Sequence, residues 1–420
     1  MGEVKVGWQP GALRLETLPP LSLYVHLPWC LKKCPYCDFN SHALTPLTPA
    51  ASSPRGGASG LGRPGAGPRA ETLPEARYVD ALVADLEQSL PYVWGRRVHT
   101  IFIGGGTPSL FSPDAIDRLL GAVRSRLPLE PGLEVTLEAN PGTFERDRFR
   151  AFRDAGVTRL SIGVQSFDDD KLRALGRVHD RAQAIAAIEE ARAAFDTFNL
   201  DLMYALPEQT LEQCIVDVGQ ALTFDPPHLS LYHLTLEPNT VFATHPPALP
   251  DEDTAAQMLD AIVDRTAAAG YARYEVSAFA KLGHRCVHNL NYWNFGDYLG
   301  IGAGAHSKLS FASRIVRQTR WREPERYMSE ALAGRALSSE HEVERAQLPF
   351  EFMLNALRLR EGFELARFTE RTGLPLSDIA RQIAAAESKT LIERDVSHVR
   401  PTPRGFDFLS DLQAAFLPRR

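Results

Sequence analysis

The sequence predicts an α/β fold: a parallel sheet curled into a barrel or partial barrel, followed by a small C-terminal helical module. Strand-like and helix-like segments alternate six times between residues 21 and 234. The unusual polar and cysteine-bearing segments fall at the C-terminal ends of the strand-like runs, where parallel barrels gather their sites. After about Trp321 the alternation stops and helical patterns take over.

The first strand is read at 21–27, and Tyr78, Val79, Leu82, Val83, Leu86 and Leu90 then follow helical spacing. A strand at 98–103 leads to a helix marked by Ile116, Leu119, Leu120 and Val123. Strand 133–137 precedes a helix over 144–154, and strand 159–164 precedes helical segments at 169–175 and 181–195. Strands 198–203 and 228–234 flank a helix at 211–222. Between 43 and 75 the chain is rich in Pro, Gly, Ala and Ser and has no aromatic residue, which predicts a flexible insertion. Lengthening such a loop costs only about 0.6 kcal/mol per doubling.

Near the end, 348–359 is apolar on one face, and a strand-like pair at 390–394 and 397–400 precedes Pro401-Thr-Pro-Arg-Gly405 and a last helix. That order resembles a winged helix. Residues 341–420 hold twelve Lys and Arg against twelve Asp and Glu, so no basic face for nucleic acid is expected and a docking or lid role fits better. The expected organisation is an N-terminal extension at 1–20, a core at 21–240, a core extension at 241–320 and the C-terminal module at 321–420.

At 420 residues the chain exceeds one typical core, and its 44% hydrophobic content is that of an ordinary globular protein. No apolar run approaches the length that spans a bilayer. A formal charge of −6 gives no global footprint for nucleic acid. Residues 1–20 lack the basic start and apolar core of a secretory leader, which predicts a reducing, cytoplasmic setting.

Three of the five cysteines form a C-x3-C-x2-C run at Cys30, Cys34 and Cys37. Three clustered thiols with Cys214 and Cys286 far away do not read as a disulfide framework. Three thiolates can hold three corners of a cubane iron–sulfur cluster and leave one iron open. A zinc site completed by His26 or His42 is the rival reading. Gly104-Gly105-Gly106-Thr107 lacks both dinucleotide-fold and Walker spacing, so its glycines are read as allowing close backbone approach to a ligand. Glu138 ends an otherwise apolar strand, where a carboxylate needs a partner such as Arg159. His288, with Asn289 beside it, reads on its own as a core histidine with a capping asparagine.

These motifs resemble the radical S-adenosylmethionine (SAM) superfamily. Within it, LSLYVHLPWC, CPYCDFNSH, TIFIGGGTPSL, EANPGT, RLSIGVQSF, LGRVHD, FNLDLMYALP and HNLNYW are similar to the HemW group of heme chaperones. The motifs span residues 21 to 306, about two-thirds of the chain. The resemblance implies a (β/α)6 barrel and a [4Fe-4S] cluster on Cys30, Cys34 and Cys37, with SAM on the fourth iron. It implies SAM contacts from Tyr24, Tyr36, Gly105, Gly106, Thr107, Glu138, Gln165, Arg177 and Asp201. His288, Asn289, Tyr292 and Trp293 match the group's H-N-x-x-Y-W motif and are its implied heme residues. Heme is then the cargo and apo-hemoproteins such as respiratory enzymes the acceptors. Peripheral association with membrane-bound acceptors is compatible with this, and the oligomeric state is left open. The related oxygen-independent coproporphyrinogen III dehydrogenase, which decarboxylates its porphyrinogen substrate, carries a further cysteine where this chain has Phe39. No residue is therefore assigned a catalytic role.

Overall fold

The computed structural model describes residues 13–44, 73–142 and 148–418. Most of the insertion read at 43–75, and the start of the helix read at 144–154, lie outside the described residues. Six parallel strands form the heart of the fold: β1 Leu21–Leu27, β2 Val98–Gly105, β3 Leu129–Ala139, β4 Arg159–Gln165, β5 Thr197–Tyr204 and β6 His228–His233. They lie in that order and pair in register, Tyr24 beside Phe102 and Phe102 beside Thr136. Their core-facing positions are Leu, Val and Ile, fully buried in one large cluster with the helices that follow each strand.

Local signals start these helices where the sequence places them. Ser112 accepts the Ala115 N–H, and Asp180 and Thr210 each form a capping box with Gln183 and Gln213. Helix Phe149–Ala155 ends at Gly156, whose φ of 108° suits glycine.

The sheet does not stop at β1 and β6. Asp297–Ile301 pairs in parallel with β1, and His306–Phe311, Arg314–Arg320 and Leu337–Glu342 continue antiparallel beyond it. Ala278–Ala280 and Ala272–Arg273 extend the β6 side, giving twelve strands and an open rather than closed sheet. The strand-like pair read at 390–394 and 397–400 is present as Ile392–Arg394 and His398–Pro401, but the change to helical patterns read after about Trp321 is corrected at its start. Leu337–Glu342 is a largely exposed edge strand, whose polar run LSSEHE carries no apolar alternation to reveal it.

A second core joins Phe352, Phe363, Phe368, Ile379, Ile383 and Leu412 of the C-terminal module to Leu13 and Leu15, and to Phe295 and Ile315 of the sheet extension. The small sheet of Phe363–Glu364, His398–Pro401 and Ile392–Arg394 sits beside helices Leu348–Ala356, Leu365–Thr372 and Ser377–Ser388. Among the described residues no helix is long and apolar enough to cross a membrane.

Candidate cluster site and its two cavities

The three cysteines sit on one loop just beyond β1. Trp29–Cys30 pairs with His42–Ala43, and His42 N–H donates to Pro28 O while Leu44 N–H donates to Cys30 O, so the loop is pinned at its base. All three thiols are free and half-buried. Each has its own hydroxyl or guanidinium neighbour. Thr107 Oγ1 donates to Cys30 Sγ at 3.5 Å, Arg177 Nη1 to Cys34 Sγ at 3.6 Å, and Ser41 Oγ lies 3.7 Å from Cys37 Sγ. Asn140 ties two of these together: its amide donates to Thr107 Oγ1 at 2.8 Å and its carbonyl accepts from Arg177 Nη2 at 2.5 Å. One hydrogen-bonded line thus runs from Cys30 through Thr107, Asn140 and Arg177 to Cys34.

Burial pushes the Cys30 thiol up to about 11 and raises Cys37 as well, so these thiols are protonated at neutral pH until a metal displaces the protons. The donor set could hold three corners of a cubane cluster. Of the two histidines named as a fourth ligand for zinc, His42 has its Nε2 buried without a hydrogen-bond partner, whereas His26 is engaged. His26 has Nδ1 on Tyr24 OH at 2.9 Å and Nε2 on Asn40 O at 2.9 Å. Among the described residues, no three or more His, Cys, Asp or Glu side chains are disposed to hold a single ion.

The glycine run packs directly on this loop. Gly106 N–H donates to Leu27 O and Thr107 N–H to Trp29 O. A Cβ on Gly106 would lie 2.5 Å from Trp29 O, and one on Gly105, at φ 122°, 2.7 Å from the His26 ring. Glu138 Oε2 accepts the Gly105 N–H at 3.0 Å rather than pairing with Arg159. Burial, then the nearby Asp201 carboxylate, raises Glu138 to about 7.

A cavity of about 740 Å³ opens beside the cysteines and takes in the strand interior. It is lined by the three cysteines, Tyr36, Gly105, Gly106, Thr107, Glu138, Gln165, Arg177, Asp201 and Asn289, all named from the sequence. Tyr36 packs on Phe242, and Gln165 closes β4 at a φ of 67°, a conformation rare outside glycine. Sequence reasoning missed Asn140 as a site residue, along with Ser161, Asn199, His228 and Ser230. The last four form a polar layer: Ser161 is in register with Asn199, Asn199 with His228, and Asp201 with Ser230. Asp201 accepts from Ser161 Oγ and Asn199 Nδ2, while burial raises its pKa. The available signal was a polar residue at every second position of a buried strand.

Tyr24, His288, Tyr292 and Trp293 are not in that lining. His288 is buried within the short helix Val287–Trp293, which packs on the early residues of β1 and β2. Its Nδ1 lies 2.8 Å from Thr100 Oγ1 and its Nε2 3.0 Å from Tyr292 OH. Burial, with Arg159 nearby, lowers it to about 3. Both ring nitrogens are therefore engaged, in the manner of a core histidine rather than of an imidazole held out to an iron. Glu134 accepts the Val287 and His288 N–H groups and fixes the start of this helix. Tyr24, Tyr292 and Trp293 line a second cavity of about 570 Å³ on the other side of β1. The two cavities share Asp38, Phe39, Gly105 and Glu138 in their walls.

Comparison with known proteins agrees with this architecture. The Radical SAM superfamily model matches residues 24–218 and the HemN C-terminal domain model residues 343–408. The heme chaperone HemW of Escherichia coli (strain K12) is 46% identical, covering 95% of this chain and 99% of that protein. The heme chaperone HemW of Bacillus subtilis (strain 168) is 32% identical over 94% of this chain and 99% of its own. Among solved structures, coproporphyrinogen III oxidase (HemN) from Escherichia coli, a radical SAM enzyme, superposes with a TM-score of 0.75 at 22% identity. That alignment covers 95% of this chain and 90% of the other, and it speaks to the fold.

Proposed function

The chain belongs to the HemW family of radical SAM proteins, and from that premise we propose that it binds heme and a SAM-ligated [4Fe-4S] cluster and delivers the heme to apo-hemoproteins. The observation that carries the reading is 46% identity to a named heme chaperone across nearly the whole of both chains. The three free thiols on one pinned loop support it at the level of residues.

In this reading Cys30, Cys34 and Cys37 would hold the cluster, which would leave one iron without a protein ligand and available to SAM. Gly105, Gly106 and Thr107 bring backbone close to that position, and Glu138 and Asp201 offer acceptors to a cationic ligand. Arg177 and Thr107 donate to the sulfurs, which lowers the cost of negative charge there. Tyr36 shields the cysteine side of the cavity. The same reading puts the protein in the cytoplasm, where thiols stay reduced.

Decarboxylation of coproporphyrinogen is not carried forward, since the oxidase shares the fold at only 22% identity. Phe39, 60% exposed, also stands where that enzyme group is expected to carry a further cysteine. The test is anaerobic: reconstituted full-length protein is analysed for iron and acid-labile sulfide, titrated with SAM and with hemin, and assayed for heme transfer to an apo-hemoprotein. Four iron and four sulfide per chain with saturable hemin binding and transfer are expected (about 4 each for a cubane cluster). Protein with stoichiometric zinc and no sulfide, or no hemin binding, overturns the reading.

A further inference from the structure

The histidines of the site region differ in what their ring nitrogens have left to give. His288 and His26 each have both nitrogens bonded within the protein. His306 does not. Its Nδ1 is 3.4 Å from Thr319 Oγ1, its Nε2 has no partner among the described residues, and its side chain is exposed at the second cavity. Burial, followed by the positive charges of Arg317, Arg322 and Arg320, lowers its pKa, so the imidazole is neutral near pH 7 and keeps a lone pair.

The cavity around it has the character of a site for a flat, dianionic, aromatic ligand. Its 570 Å³ lies within the range of about 300–1,000 Å³ that small-molecule and cofactor sites occupy. Phe39, Trp293 and Tyr298 supply ring faces and edges. The Trp293 indole N–H is buried without a hydrogen-bond partner, which leaves a donor awaiting a ligand. Two arginines reach the same space. Arg317 is shared with Tyr298 OH and Glu351, whereas Arg322 is exposed and makes no ion pair among the described residues. Such guanidinium groups suit carboxylates.

We propose that this second cavity is the heme site, with His306 Nε2 as the axial ligand to iron and Arg322 as a partner of a propionate. The assignment rests on the heme-chaperone reading and names the place where the cargo sits. Phe39 and Glu138, common to both cavities, put that cargo next to the cluster loop.

Full-length protein carrying its cluster is titrated with hemin under anaerobic conditions, following the Soret band and the iron spin state by electron paramagnetic resonance. His306→Ala is expected to shift the Soret band and to weaken hemin binding by about tenfold or more, and added imidazole should restore the wild-type spectrum. Arg322→Glu is expected to weaken binding by about tenfold with the Soret position unchanged. His288→Gln, which keeps a hydrogen-bonding side chain, should leave the Soret position as in the wild type. Iron and sulfide content serves as the measure that each variant is folded. A His306→Ala protein with full cluster content and wild-type Soret band and affinity overturns the assignment while leaving heme binding in place. Failure of the wild-type protein to bind hemin overturns the assignment and the function together.

Discussion

Single side chains explain why the cysteine loop is more than three thiols in a row. Thr107, Asn140 and Arg177 link Cys30 to Cys34, and only Thr107 and Arg177 were legible from motifs. Asn140 was overlooked because an Asn before Pro-Gly reads first as a turn residue. Cys34→Ala is expected to abolish cluster assembly, since two thiolates do not secure a cubane; iron and sulfide analysis after anaerobic reconstitution checks this, and full iron retention would contradict it. Glu138 makes a second case. Its folded pKa, about 7, lies above the ordinary 4.5, so the native protein holds the proton more tightly than the unfolded chain. Stability of the cluster-free protein therefore falls as pH rises from 4.5 to 7. Glu138→Gln removes that loss while keeping an acceptor for Gly105 N–H. The stability of the variant relative to wild type should thus increase across the window by on the order of 2 kcal/mol. Denaturant melts at pH 5 and pH 8 measure it, and a constant offset between the two would refute the raised pKa of Glu138.

At the scale of elements, buried charge adds to apolar contact in locking the sheet extension to the six-strand core. Arg320 is fully buried and reaches Asp85, Ser89, Ser307 and Gln318, joining helix Glu75–Ser89 to the strands His306–Phe311 and Arg314–Arg320. Asp85 also takes Tyr327 OH and the Gly302 N–H. Arg320→Met leaves Asp85 buried without its cation, which is expected to cost about 3–5 kcal/mol; a loss under 1 kcal/mol in urea melts would show that water or another cation fills in. The second lock is Asp297, flanked by Lys308 and Arg96, whose charges lower its pKa despite its burial. Sequence periodicity found the six βα units because each strand is an apolar run and each helix an amphipathic one. It missed the edge strand Leu337–Glu342, whose pairing comes from its neighbour and not from its own composition.

At the scale of the whole molecule, the C-terminal module shares a core with the sheet extension. Phe295 and Ile315 of the sheet extension pack in the same cluster as Phe352 and Phe368, and Arg317–Glu351 and Arg358–Glu275 bridge the same boundary. A single cooperative melt is expected for the full chain, and removal of residues 343–420 should leave a fragment that aggregates or melts without cooperativity; a truncated protein with the parent midpoint would disprove the shared core. By itself the sequence determined the alternation of strands and helices, the cysteine spacing and the residues at the strand ends, because each of these is written in local pattern or in chemistry at fixed spacing. Only the tertiary structure decided which ring nitrogens remain free, that the HNLNYW helix packs on the early residues of β1 and β2, and that two cavities rather than one adjoin the cysteine loop. Those outcomes depend on partners that are far apart along the chain, Thr100 with His288 and Asn40 with His26 among them, and no local pattern records such meetings.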